Sequence, residues 1–252
     1  MSPLPAANRY DAVLIGGGVM SATLATMLTQ LQPDWSVLVL EKLDVVGSES
    51  SDMWNNAGTG HSALCELNYT PQMPDGSIDI SKAVAINEQF QLSRQFWSHL
   101  VETGVLSDPG DFINPVPHMS FVRGEDVGFL RARFDALSTH PLFAGMEWGE
   151  DHETIGRWAP LVTAGRSPSE KIAATRSTLG TDVDFGTLTK QLFDGAVQKG
   201  VELLTGHTVK DLRRRGSGWT LTGSSAGGSF QVATPFVFVG SGGGALHLLQ
   251  RS

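Results

Sequence analysis

The sequence predicts an α/β fold, because two stretches repeat one local order of buried strand, glycine turn and helix. The first is YDAVLIGGGVMSATLATMLTQLQ from Tyr10, and the second is TPFVFVGSGGGALHLLQ from Thr234. The residues between them mix long helical patterns with short strands punctuated by glycine. That mixture predicts a second, mostly antiparallel α+β region.

Taken in order, YDAVLI is a short apolar run that ends at Gly16, the length of a buried strand. Met20, Leu24, Met27, Leu28 and Leu31 then recur at three- and four-residue steps, as on an amphipathic helix, and Pro33 stops it. SVLVLEK supplies the next strand, completing a βαβ unit with a right-handed crossover. From Val45 to Asp79 the periodicity dissolves into a long loop, a length that is usually functional. Ser81 is expected to cap a helix running to about Glu102. HMSFVRG reads as a strand and EDVGFLRARFDAL as a helix with acids in its first turn. Residues 140–181 read as irregular apart from a short strand at Lys171–Arg176. Asp184 is placed to cap FGTLTKQLFDGAVQKG, and VELLTG, TVKDLRR, GWTLTG and SFQVA follow as short strands.

Composition excludes several classes. The 252 residues are 40% hydrophobic and 17% charged, enough apolar content for a core and too little charge for disorder. A net charge of −8 argues against a general nucleic-acid binder, which needs a surplus of Lys and Arg. One cysteine, Cys65, excludes an intrachain disulfide framework or a multi-cysteine metal site. No apolar run approaches the roughly 20 residues of a spanning helix, and Pro3 and Pro5 break up a leader too short for a signal peptide. The expectation is a soluble protein of a reducing compartment. Arg213–Arg215 reads as solvated charge, thin support for a contact with anionic lipid.

GGGVMS at Gly16–Ser21 follows a strand and opens a helix, the context of a dinucleotide fingerprint in a Rossmann-like domain. Gly16 permits the tight turn, Gly18 lets a pyrophosphate reach the backbone, and small Ser21 stands where the third glycine packs helix on strand. Glu41 ends the second strand, where a carboxylate accepts ribose hydroxyls and repels a 2′-phosphate. The second glycine cluster, at Gly240, and the donor-rich loop Glu49–Tyr69 favour FAD over NAD. Serines, amides and glycines in that loop suit a pyrophosphate, a ribityl chain and a flavin edge. His61 lies within it, although a lone histidine is more often structural than catalytic.

Across WNNAGTGHSALCELNYTP, PHMSFVRGEDVGFLRARFDAL and ATRSTLGTDVDFGTLTKQL the sequence resembles the FAD-dependent malate:quinone oxidoreductases. The resemblance runs from Tyr10 onward and extends, more broadly, to the D-amino-acid oxidase-like flavoproteins. It implies a Rossmann-like FAD-binding domain with an incomplete α+β substrate domain, the former at 1–80 and 182–252 and the latter at 81–181. It also implies oxidation of (S)-malate to oxaloacetate with quinone as acceptor, serving the tricarboxylic acid cycle. The enzyme would be cytoplasmic and peripheral to the inner face of the cell membrane.

Carried over by position, Gly16, Gly18, Ser21 and Glu41 would hold the pyrophosphate and adenosine ribose. Ser50, Ser51, Asn56 and Gly58 would line the flavin side, Val209 would meet adenine through its backbone, and Gly240 would lie against the cofactor. No metal is expected. For catalysis the residues offer His61, His118, Arg123 and Arg176, none supported by spacing alone. Chains of this family continue well past Ser252, so the resemblance implies a shortened chain, inactive alone or completed by a second polypeptide. The alternatives are another flavin oxidase of the superfamily, acting on a 2-hydroxy acid or D-amino acid, and a non-catalytic FAD-binding fragment.

Overall fold

The computed structural model describes residues 4–250; Pro3 and the last two residues, Arg251 and Ser252, lie outside the described residues. The chain opens with β1 (Ala12–Ile15), α1 (Val19–Leu31), β2 (Val37–Leu40) and the long helix α2 (Ser81–Glu102). The middle holds β3 (Ile113–Pro115), β4 (His118–Arg123), α3 (Asp126–Ser138), β5 (Glu147–Gly149), α4 (His152–Trp158), α5 (Pro160–Thr163), β6 (Ile172–Ser177) and β7 (Thr181–Val183). The last third holds α6 (Phe185–Gln198), β8 (Glu202–Leu204), β9 (Thr208–Arg215), β10 (Gly218–Ser225), β11 (Gly228–Thr234), β12 (Phe236–Val239) and α7 (Ala245–Leu249). These form two units. One takes the chain up to Gly58, Leu100–Phe112 and everything from Asp184; the other takes Thr59–His99 and Ile113–Val183.

The first unit is built on a parallel sheet of order β12-β1-β2-β8. All residues of β1 and β2 are buried, as expected for strands covered on both faces. One cover is helical. The buried stripe of α1 consists of Ser21, Ala22, Ala25 and Thr26, small enough for α6 to come close. Thr26 Oγ1 donates to Leu192 O of α6 at 3.2 Å. The other cover is the antiparallel meander β11-β10-β9, whose Leu212, Leu221, Phe230 and Val232 meet Val13, Ile15, Leu38 and Leu40. The two-residue period of β1 thus divides its side chains between two layers. Asp184 caps α6 by accepting from the Thr187 N–H at 2.9 Å, and Thr187 Oγ1 donates to its other oxygen.

The second unit centres on the antiparallel sheet β4-β6-β5. Val122 and Ala173 pack with Val127 and Leu130 of α3 on one face. Ile172, Ala174, Met119 and Phe121 pack with Ile155 and Val162 of α4 and α5 on the other. Among the described residues β4 and β5 each pair on one side only, and β3 and β7 form a separate two-stranded ribbon. The stretch 140–181, irregular by sequence, contains β5, α4 and α5 and runs into β7, each too short to show a period. Ser81 is not the cap of α2. It is the first helical residue, and its N–H donates to Asp79 Oδ1 at 2.9 Å. Residues 59–80, grouped by sequence with the first unit, belong to the second, because Ala63 and Leu64 are buried against Ala83, Leu137 and Phe143.

Candidate cofactor site

A cleft of about 460 Å³ opens at the carboxyl ends of β1, β2 and β12, the end of a parallel sheet where ligands are held. Its walls include Gly16–Met20, Glu41, Ser48–Ser51, His207–Val209 and Gly240–Gly242. The size falls in the ordinary range for a ligand pocket, about 300–1,000 Å³.

The three glycines of the first turn do different work. Gly16 has φ +101°, and a Cβ there would fall 2.5 Å from Gly240 O, so only glycine fits. Gly17 donates its N–H to Glu41 Oε2. Gly18 is extended, with φ −87° and ψ 175°, and a Cβ on it would meet only Ser51 Oγ at 3.5 Å. Gly18 therefore faces open cleft. Helix α1 begins there with no acid in its first turn, leaving its positive end free for an anion. Ser51 Oγ accepts the Val19 N–H at 3.0 Å, and its own proton remains available to the cleft.

Glu41 is almost fully buried. Its second oxygen accepts the Leu43 N–H at 2.7 Å, so backbone groups fix both arms of the carboxylate. Each oxygen retains a lone pair for a hydroxyl donor.

Gly240 fits under helix α1 through Ser21. A Cβ at Gly240 would overlap Ser21 Oγ, which is itself buried without a hydrogen-bond partner. Ser21 is thus a packing neighbour of the turn at Gly240. An unsatisfied buried hydroxyl costs about 1–3 kcal/mol, so Ser21→Ala is expected to stabilise the protein, by about 1 kcal/mol. Gly240→Ala should be strongly destabilising, and Ser21→Gly should relieve part of that loss in the double variant. Urea unfolding of the four proteins checks this, and strictly additive effects would refute the packing relation.

Of the positions expected at the cofactor, Gly16, Gly18, Glu41, Ser50, Ser51, Val209 and Gly240 line this one cleft. Asn56 and Gly58 do not: Asn56 Nδ2 donates to Ser50 O and Asp52 O, while its Oδ1 accepts the Gly58 N–H at 2.8 Å. Their part is to shape the loop behind Ser50 and Ser51. Ser241, the neighbour of Gly240 in the second glycine cluster, lines the cleft too, and His207 does so without any sequence signal. The His207 ring is fixed by Nδ1 at 2.7 Å from Thr205 O and by Phe230, centroids 5.5 Å apart.

The four catalytic candidates lie in the second unit and are not brought together. Arg123 and Arg176 share the α4–α5 face of the β4-β6-β5 sheet, with Arg176 opposite Met119 and Arg123 opposite Ile172. Four residues of strand separate those rungs, about 13 Å. Arg176 pairs with Glu147 at 2.9 Å and lies over the Trp158 ring, and Arg123 pairs with Glu170 at 3.5 Å. His118 is buried on the other face, with Nε2 at 3.1 Å from Thr181 O. His61 is exposed, with Nδ1 at 3.1 Å from Glu66 Oε1. Burial and the adjacent Glu66 push the Cys65 thiol up to about 11, so it stays protonated and is no nucleophile near neutral pH.

Comparison with known proteins places these features in a family. A family model described as malate:quinone oxidoreductase (Mqo) matches residues 8–252. A probable malate:quinone oxidoreductase of Geobacillus sp. (strain WCH70) is 56% identical over 246 residues, 96% of this chain and 48% of that protein. One from Rhodococcus jostii (strain RHA1) is 56% identical over 249 residues, 97% of this chain and 49% of that protein. The chain spans about half the length of the curated relatives it matches. Among solved structures, glycine oxidase from Geobacillus kaustophilus superposes with a TM-score of 0.70 at 21% identity, covering 97% of this chain and 58% of that one. L-α-glycerophosphate oxidase from Mycoplasma pneumoniae, solved with FAD bound, gives 0.63 at 14% identity, covering 92% and 53%. Those two likenesses show the fold, a Rossmann-like α/β arrangement. The family match and the two close relatives show more: this chain belongs to the malate:quinone oxidoreductase family.

Proposed function

We propose that the protein takes part in the FAD-dependent oxidation of (S)-malate to oxaloacetate with a quinone as electron acceptor, a step of the tricarboxylic acid cycle. The observation that carries the cofactor is the open face of Gly18 beside the acid-free start of α1, where a pyrophosphate can approach the backbone. The Gly18 N–H and the N–H groups of the first turn of α1 beyond Val19 hold the pyrophosphate, with Ser51 Oγ donating its free proton. Glu41 accepts the adenosine ribose hydroxyls and, by its charge, turns away a 2′-phosphate. The Val209 backbone meets adenine, and Ser50 and Ser51 line the flavin side on the loop that Asn56 and Gly58 shape. Bound flavin supplies a two-electron acceptor for the hydride at C2 of malate.

No helix among the described residues is long and apolar enough to cross a membrane. The quinone side is proposed, on the family resemblance, as a peripheral contact at the inner face of the cell membrane. We also propose that a further length of polypeptide, covalent or separate, completes the substrate region, since the relatives are about twice as long.

Calorimetry with FAD and with NAD, followed by malate-dependent reduction of a quinone analogue, tests the reading. Tight FAD binding and no NAD binding are expected of this chain, and reduction by malate of the protein once the completing polypeptide is present. NAD binding without FAD, or reduction by amino acids and not by malate, would overturn it.

A further inference from the structure

Helix α1 turns its long apolar side chains outward. Met20, Leu24, Met27, Leu28 and Leu31, the stripe that periodicity assigns to a core, are not its buried residues; those are Ser21, Ala22, Ala25 and Thr26. Met20 is 65% accessible, Met27 37% and Leu31 73%, with Leu24 and Leu28 half-buried. The helix carries no charged residue. Five large apolar side chains on the outside of one uncharged helix form a contiguous patch, the mark of an interaction surface.

The patch has a definite place in the first unit. On one flank α1 meets α6 through Thr26. On the other flank Ser21 meets the turn at Gly240, just past β12. Leu24 and Leu28 stand three and seven residues on from Ser21, so they share that second flank. The sheet stops there too, because among the described residues β12 pairs with β1 only. Val237 and Val239 of β12 pack against the meander core, so Phe236 and Phe238 point to the helical face. Phe236 is 41% accessible and Phe238 half-buried, whereas Ala12 and Leu14, their partners on β1, are fully buried. Sheet and helical layer therefore end at one flank, with apolar side chains of β12 and α1 lining the step.

We propose that a helix of the further polypeptide lies over β12 beside α1, its apolar side on Phe236, Leu24, Leu28 and Leu31; this rests on the reading above that such a polypeptide completes the protein. Three observations favour that occupant. The relatives carry about as much chain again. A membrane surface is held by Lys and Arg, which α1 lacks. A helix over β12 extends the rule that a parallel sheet is covered on both faces.

The test is oxidation of methionines by dilute hydrogen peroxide, read by mass spectrometry against added N-acetylmethionine. It is run on the full chain alone and on the full chain co-expressed with the part of the Geobacillus sp. (strain WCH70) relative that it does not match. Alone, Met20 and Met27 are expected to oxidise readily; in the complex both should slow about 10-fold or more, since reactivity follows exposure. Leu31→Glu should leave circular dichroism unchanged and weaken the complex on dilution about 10–100-fold, the worth of one buried leucine. A complex that forms and leaves Met20 and Met27 as reactive as before would overturn the docking and leave the completion standing. Protection in the chain alone where it dimerises, or by phosphatidylglycerol vesicles, would give the face to a second copy or to lipid and equally overturn it. No complex at all would overturn the completion reading, and the docking with it.

Discussion

Gly18→Val is expected to keep the parallel sheet and helix α1 intact while losing FAD. The backbone at Gly18 is extended, at φ −87° and ψ 175°, a region every residue adopts. A Cβ there meets Ser51 Oγ at 3.5 Å, an ordinary contact. The fold therefore has no need of glycine at this position. The cleft has, because the isopropyl group would stand at the start of α1, where a phosphate oxygen has to approach. Hydrogen bonds to a charged group are worth about 1.5–3 kcal/mol each, so losing two of them weakens binding by about 10²–10⁴-fold.

Gly16→Ala is the control with the opposite signature. At φ +101° the backbone is strained for any side chain, and the added carbon would sit 2.5 Å from Gly240 O. That variant should lose stability whether or not FAD is present. Circular dichroism and urea unfolding report the fold, and calorimetry reports FAD. Wild-type FAD affinity in Gly18→Val would remove the pyrophosphate from this seat.

Much of this site was legible because its signals are local. Strand, glycine turn and helix follow one another within Ala12–Leu31, and the acid at Glu41 closes the next strand, so periodicity and turn chemistry suffice. The unread parts depend on long-range packing. Nothing local says that β9–β11 cover the second face of the parallel sheet; the alternation of Leu212, Leu221, Phe230 and Val232 marks strands without saying what they meet. α4 and α5, seven and four residues long, are too short to show a helical period. Arg133 is the sharpest case. In RARFDAL it looks like surface charge, and Arg131 indeed makes an exposed i,i+4 pair with Asp135 at 3.1 Å. Two positions further, a 200° rotation places Arg133 on the opposite, buried face.

Arg133→Met is expected to destabilise the second unit by about 3–5 kcal/mol, the cost of leaving several buried acceptors without their donor. The guanidinium is fully buried and reaches three acceptors: Thr70 Oγ1 at 3.0 Å, Ala63 O at 3.1 Å and Leu64 O at 3.4 Å. Methionine fills similar volume but donates to none of them, and each buried acceptor that loses its donor costs about 1–3 kcal/mol. One gain opposes this. Burial pulls the guanidinium down to about 10, so removing the cation recovers some desolvation cost, which keeps the net below the sum of the three losses. Arg133→Lys keeps the charge but offers a single nitrogen where the arginine spans three acceptors, so it should recover only part of the stability. Because Arg133 holds Ala63 at positive φ, its loss also frees the segment that carries His61. Amide exchange across residues 60–66 should therefore accelerate in Arg133→Met while amides of β1 and β2 keep wild-type protection. An unfolding midpoint and an exchange pattern both equal to wild type would show that the buried guanidinium is no clamp.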